Sequence, residues 1–402
     1  MIKLVPGLFH NEQQTKQELC DFILHTNQLS IGQQCSNFEQ SFAAWQGRRH
    51  CVLFSSGSSA NLALIQALLN LQLLERDHLV AFSALTWATN VMPIIQLGLE
   101  PIPVDVELTT LNVSSQTFQS VLDQHPNIKM LFLTNLLGFC SDLEQITSLC
   151  AERNILLIED NCESLGTEYL GRKLGNWGLA STFSFFVGHH MSTIEGGAVC
   201  TDDPTLDRML RLVRAHGWDR NLSDEDKVQI RQEFQVDDTF FANFTFYTLG
   251  YNLRPTEITG FLGSNQLRYL PQTIQLRHRQ WQKFNADLSR NPDLIHQTTS
   301  HLSLVSNFAV PIVCHTKTIA DQYINRFKAA DVEIRPILGG SIPEQPFYRQ
   351  AYGETKHLTN ARIIDQGGFY FGNNSGLTAM EIDLLHQLCL GQTVLSAVVM
   401  PV

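Results

Sequence analysis

No run of about 18 apolar residues occurs in the 402-residue chain, so neither a helical membrane span nor an apolar signal segment is expected. Basic residues are outnumbered: 28 lysines and arginines face 39 aspartates and glutamates, a formal charge of −11. A nucleic-acid binder carries a basic face or stripe, and that class is excluded. Nine cysteines are scattered without one Cys-x-x-Cys pair, which argues against both a disulfide framework and a structural metal site. No lysine lies between Lys173 and Lys227. That stretch therefore offers no primary amine as a nucleophile or covalent tether. With 44% hydrophobic and 17% charged residues, the rest reads as a reduced, cytoplasmic globular enzyme.

What is present is an alternation of short β-rich runs and helical patterns over residues 50–205. Cys51–Phe54, Leu79–Phe82, Pro103–Val106, Met130–Thr134 and Ile155–Asp160 read as strands, with Phe183–Phe186 and Ala198–Thr201 as further ones. Asn61–Leu74, Trp87–Leu97, Asp142–Arg153 and Asp203–Ala215 read as helices between and after them. Near-continuous apolar strands flanked by helices predict an α/β fold, a mostly parallel central sheet covered on both faces. A polar segment, Asn221–Asp238, leads out of that core. Leu270-Pro271 divides a large domain with an N-terminal arm (1–270) from a smaller C-terminal α+β domain (271–402). In the latter, Gln272–Leu288 and Thr318–Ala330 read as helices around a strand near Phe308–Val313.

Ligands of open α/β sheets sit beyond the carboxyl ends of the strands, and four groups fall there. Ser55-Ser-Gly-Ser-Ser-Ala60 is a small-residue turn before a helix, either a plain N-cap or a phosphate cradle of helix amides. Asp160 closes an apolar strand. It is either a solvated turn residue or a buried carboxylate in need of a cation such as a protonated pyridine nitrogen. Trp87 follows another strand and either joins the core or stacks on a flat ring. Ser184 and His189 lie in Ser181-Thr-Phe-Ser-Phe-Phe-Val-Gly-His-His-Met-Ser-Thr-Ile-Glu-Gly-Gly197. Arg211, Arg214 and Arg220 form a further basic group that suits a phosphate pocket.

The order of these parts resembles the sugar-modifying pyridoxal-phosphate enzymes of the DegT/DnrJ/EryC1/StrS family, a branch of fold type I, from about Gly32 to the last helix. Glu159-Asp-Asn-Cys-Glu-Ser164, Arg214-Ala-His-Gly-Trp218, Arg220-Asn-Leu222 and Gly250-Tyr-Asn-Leu-Arg-Pro255 carry the closest likeness. The resemblance implies that Gly57, Ser58 and Ser184 hold a phosphate, that Trp87 covers the ring and that Asp160 pairs with its nitrogen. It implies Glu163 as a nearby carboxylate, and Asn252 as a residue reaching the cofactor of the other subunit in a homodimer with shared sites. His216 and Arg220 match positions near the substrate. His189 stands where the family carries its lysine, and Gly188 stands where a polar or hydroxyl residue is expected.

An imidazole can move protons but cannot tether the cofactor. The resemblance therefore implies non-covalent pyridoxal or pyridoxamine phosphate and removal of the C3 hydroxyl of a nucleotide-linked 4-keto-6-deoxy hexose, with GDP-4-keto-6-deoxy-D-mannose favoured. His189 would be the base, and L-glutamate would restore the amine. Rival readings are a lysine-less binding or regulatory module and an iron–sulfur-dependent dehydratase of CDP-sugars. The latter needs a group of cysteines after the histidine, and this chain has Cys200 and then none before Cys314. Arg335-Pro-Ile337 and Gly372-Asn-Asn374 are either parts of the sugar site or turns.

Overall fold

The computed structural model describes residues 1–5, 7–237, 239–355 and 358–392. Its strands run, in chain order, β1 (His50–Phe54), β2 (Leu79–Ser83), β3 (Glu100–Val104), β4 (Ile128–Thr134), β5 (Leu156–Asp160), the short β6 (Glu168–Tyr169) and β7 (Arg172–Lys173), β8 (Ala180–Ser184) and β9 (Gly197–Thr201). Seven of them form one sheet in the order β1-β9-β8-β5-β4-β2-β3. β9 is antiparallel to both of its neighbours, while the β8-β5-β4-β2-β3 run is parallel throughout. Six strands therefore point their carboxyl ends the same way, toward one edge where ligand groups gather.

Side-chain alternation divides each strand between two apolar layers. Val80, Phe82, Met130 and Phe132 enter one layer, and Ala81, Leu131 and Leu133 enter the other. Helices cover both faces, among them Gly57–Asn70, Leu143–Glu152, Pro204–Arg214 and Leu270–Leu288. The third strand sits earlier than expected, at Glu100–Val104, because it pairs residue for residue with Leu79–Ser83. The Phe183–Phe186 expectation likewise shifts to Ala180–Ser184, which frees Phe185 and Phe186 for the loop that follows. Within the polar segment, Asp224–Glu233 is a helix capped by Ser223, and Asp238 lies outside the described residues.

Beyond the Leu270–Leu288 helix come β10 (Leu302–Leu304), β11 (Ala309–Val313), β12 (Ile334–Pro336) and β13 (Gly368–Gly372). The last three make an antiparallel sheet in the order β11-β13-β12, while β10 pairs back onto β6. The apolar core is continuous across residue 270, since Trp281 and Phe284 share a cluster with Leu131 and Leu133. The chain's first residues also reach the later sheet, where Ile2 bridges to Val332. Among the described residues no helix is long and apolar enough to cross a membrane.

Candidate active site

At the end of β1 the chain turns through Ser55-Ser56 into the Gly57–Asn70 helix. Ser56 is the N-cap; its Oγ accepts from the Ser59 amide at 3.0 Å. The amides of Gly57 and Ser58 belong to the first turn, which has no intrahelical acceptors, so they remain donors for an anion. Two glycines make this approach possible. A Cβ on Gly57 would lie 2.8 Å from the Ser184 Cβ and 3.1 Å from the Cys162 Sγ. A Cβ on Gly197 would collide with the Ser56 carbonyl and the Gly57 nitrogen, which explains the Glu-Gly-Gly sequence beneath the turn.

Asp160 is buried at the end of β5, which removes the solvated reading. Its Oδ1 accepts from the Cys162 amide at 2.9 Å, and its Oδ2 accepts from Asn90 Nδ2 at 2.6 Å and Asn61 Nδ2 at 3.1 Å. None of these partners is a cation, so a buried carboxylate is held by neutral donors beside an open cavity. Burying an anion without a countercharge is costly, and such a group is a natural partner for a cationic ligand atom. Asn61 and Asn90 escaped the sequence reading. Their signal was a polar side chain on the otherwise apolar inner face of a helix, seven residues after each strand end.

The cavity encloses about 510 Å³, within the range of small-molecule sites. Gly57, Ser58, Trp87, Asp160, Glu163, Ser184 and His189, all singled out from sequence, line it together. Trp87 is 53% exposed, so it is not a core residue. Keeping a large apolar side chain out of the core forgoes roughly 2 kcal/mol, and here the indole forms an open wall of the cavity. Glu163 is buried, and its Oε2 accepts from the Leu137 amide at 3.1 Å. Burial raises its acid to about 8 against the lowering pull of that amide, and the Asp160 charge adds to the rise. Glu163 is thus a protonated acid at neutral pH.

His189 and His190 differ sharply. His190 is buried, and its Nε2 meets the Ser306 carbonyl at 2.7 Å. His189 faces the cavity between Phe186 and Phe308, whose ring centroids lie 5.9 and 5.6 Å away, and its Nδ1 makes no hydrogen bond. Burial pushes the His189 imidazole down to about 4, against the raising influence of Asp160 and the Ser184 carbonyl. It is therefore a neutral imidazole at physiological pH. The tight turn that aims it is closed by the His189 amide on the Phe186 carbonyl at 2.9 Å. A side chain at Gly188 would press on the Phe186 ring, 3.1 Å from its Cβ.

Asn252, His216 and Arg220 do not line the cavity of their own chain. Asn252 is exposed, and its Oδ1 accepts from Arg254 at 2.9 Å. His216 lies edge-on to Trp218, and Arg220 stacks over Trp218 at 4.1 Å and over Phe244 at 4.5 Å. The arginine group expected to form a phosphate pocket does something else. Arg211 and Arg214 both grip buried Glu39, at 2.9 and 2.6 Å, beneath β1. Asn373 is fully buried and ties Arg277 to Asn307, whereas Arg335 reaches the cavity wall.

An anion turn, an exposed indole, a buried carboxylate and a free imidazole at one sheet edge fit a flat, phosphate-bearing heterocycle. The pattern of the DegT/DnrJ/EryC1/StrS aminotransferase family matches residues 10–385. The chain belongs to this family. Among its relatives is GDP-4-keto-6-deoxy-D-mannose 3-dehydratase of Escherichia coli O55:H7, 32% identical over 370 residues, 91% of this chain and 94% of that protein. The dTDP-4-dehydro-2,6-dideoxy-D-glucose 3-dehydratase of Saccharopolyspora spinosa is 29% identical, over 88% of this chain and 79% of that one. A crystal structure of GDP-4-keto-6-deoxymannose-3-dehydratase with a trapped PLP-glutamate geminal diamine superimposes with a TM-score of 0.88 at 29% identity, covering 97% of this chain and 100% of that one. Within the DegT/DnrJ/EryC1/StrS frame, this chain's lysine-free loop sets its chemistry apart from that of a lysine-bearing transaminase.

Proposed function

We propose that the protein is a pyridoxal/pyridoxamine-phosphate-dependent 3-dehydratase of a nucleotide-linked 4-keto-6-deoxy hexose, with GDP-4-keto-6-deoxy-D-mannose as the favoured substrate. The observation that carries this reading is His189, an untethered neutral base on a cavity whose lining contains no lysine among the described residues. The likeness to the GDP-sugar dehydratases supports the substrate class. A solved variant of that enzyme, with asparagine replacing a histidine, holds GDP-perosamine.

The residues fit the cofactor. Gly57 and Ser58 amides with Ser184 would hold its phosphate, Trp87 would cover the ring, and Asp160, locked by Asn61 and Asn90, would keep the ring nitrogen protonated. When bound, the cofactor supplies a conjugated electron sink that allows the C3 hydroxyl to depart. His189 then moves the proton, accepting it beside the ring and delivering it to the departing hydroxyl, as a neutral imidazole can. Protonated Glu163 offers a hydrogen-bond donor from the cavity wall. L-Glutamate is the amino donor, and a homodimer in which Asn252 serves the neighbouring copy's cofactor completes the site. A cytoplasmic setting accords with nine free cysteines, and the product is a precursor of a 3,6-dideoxy sugar such as colitose for O-antigen.

The test is ammonia release from protein loaded with pyridoxamine phosphate and given candidate 4-keto-6-deoxy nucleotide sugars. Wild type should release ammonia, and His189→Asn should lose about 10²–10⁴-fold of the rate while keeping the cofactor. Absence of dehydration by wild type, with His189→Lys merely performing transamination, would sink the reading.

A further inference from the structure

Among the described residues lining the cavity, Arg335 is the one lysine or arginine. It comes from β12, in a different sheet from the strands carrying Asp160 and Ser184. Its Nη2 donates to Glu333 Oε1 at 3.0 Å, and the other Glu333 oxygen accepts from the Leu4 amide at 2.9 Å. Its register partner across the sheet, Tyr370, lines the same wall. The first residues of the chain thus brace Glu333, and Glu333 braces the guanidinium. Glu333 takes one N–H and Tyr370 also hydrogen-bonds the guanidinium, and the remaining N–H groups are suited to an oxyanion. The pair is half-exposed, with the arginine side chain at 48%, so it adds little to folding stability and needs another reason to be held rigid.

Two anions could meet that fork, a carboxylate of the amino donor or the diphosphate of the nucleotide sugar. The diphosphate hangs from sugar C1, across the hexose ring from the C4 ketone that reacts. A donor's α-carboxylate is one bond from its reacting carbon and must therefore lie in the same cavity as His189 and the cofactor ring. The cofactor's own phosphate is already served by the Gly57 turn. We propose that Arg335 binds a carboxylate of the amino donor. This rests on the functional reading above.

Protein loaded with pyridoxal phosphate is titrated by calorimetry with glutarate, a dicarboxylate that lacks the reactive amine. It is also mixed with L-glutamate while the aldehyde absorbance is followed. In Arg335→Gln, affinity for both should fall about ten- to hundredfold and in Arg335→Lys by less, while nucleotide-sugar affinity of the amine-loaded protein should stay within about twofold. Undiminished glutarate and glutamate binding in Arg335→Gln overturns the assignment. So does a loss confined to the nucleotide sugar, which would give the fork to the diphosphate, or a wild type that binds neither glutarate nor glutamate. If wild type takes up glutamate's amine with Arg335-dependent affinity yet dehydrates no sugar, the functional reading fails and the carboxylate assignment stands.

Discussion

Individual atoms decide whether the cavity can accept a phosphate. The Gly57 Cα sits so close to Ser184 and Cys162 that a single methyl would force the turn off β8. Gly57→Ala should therefore weaken cofactor binding by about tenfold or more, at a cost of 1–3 kcal/mol for overpacking, while the fold survives. Equilibrium dialysis against pyridoxal phosphate, read beside the melting curve, checks it; unaltered affinity would show that the turn can give way. The same scale separates the two adjacent histidines. His190 spends its Nε2 on the Ser306 carbonyl, and His189 alone of the two lines the cavity. His190 thereby becomes a structural residue that anchors the loop bearing His189.

At the scale of elements, the helix and strand beneath the phosphate turn are tied by charge. Glu39, from the Gln33–Gln46 helix, accepts from the Leu53 amide of β1 at 2.8 Å and from Arg211 and Arg214 of the Pro204–Arg214 helix. Burial pushes the Glu39 acid up, yet the two guanidiniums hold it below the usual carboxylate range. Removing one partner of a buried pair costs more than the intact pair contributes, about 3–5 kcal/mol. Arg214→Met should lower the urea midpoint accordingly with little change in slope, and a loss under 1 kcal/mol would refute the tie. This cluster also shows where sequence reading stops. Three arginines within ten residues resemble an anion pocket, but only the fold reveals that a glutamate some 170 residues away meets two of them. By contrast, the strand-end placements of Ser184, Asp160 and Gly57 were legible because apolar strands followed by small or acidic residues obey the edge rule of open sheets. Asn61 and Asn90 were not, since nothing local says which carboxylate a buried amide will face. Arg335 could be read from sequence either as part of the sugar site or as a turn, because its strand belongs to another sheet and nothing local decides between them.

For the whole molecule, three buried groups beside the cavity contribute to the pH profile of stability. His189 and His190 are held below their ordinary value of 6.5 mainly by burial, so below that pH the unfolded chain takes protons that the folded chain refuses. Stability from this source falls as pH drops from 6.5 toward about 4. Glu163 has the opposite sign. Its acid is raised from 4.5 to about 8, so the folded form keeps a proton that the unfolded form has shed, and stability falls as pH rises through that window. Two groups against one leave a net gain up to pH 6.5 and a net loss from there to 8. The cofactor-free protein should thus melt highest near pH 6.5, and Glu163→Gln should flatten the alkaline decline. A profile that keeps the same alkaline slope in that variant would assign it to other groups.

The clasp between the His190 imidazole and the Ser306 carbonyl has a temporal meaning as well. The aromatic ring flanking both histidines, Phe308, also emerges late in synthesis. A nascent polypeptide could pair the strands of its main sheet while the His189 ring still lacks a fixed bearing. Fixing that loop would then be the final act of folding, completed when the last quarter of the chain clips onto a segment made long before it.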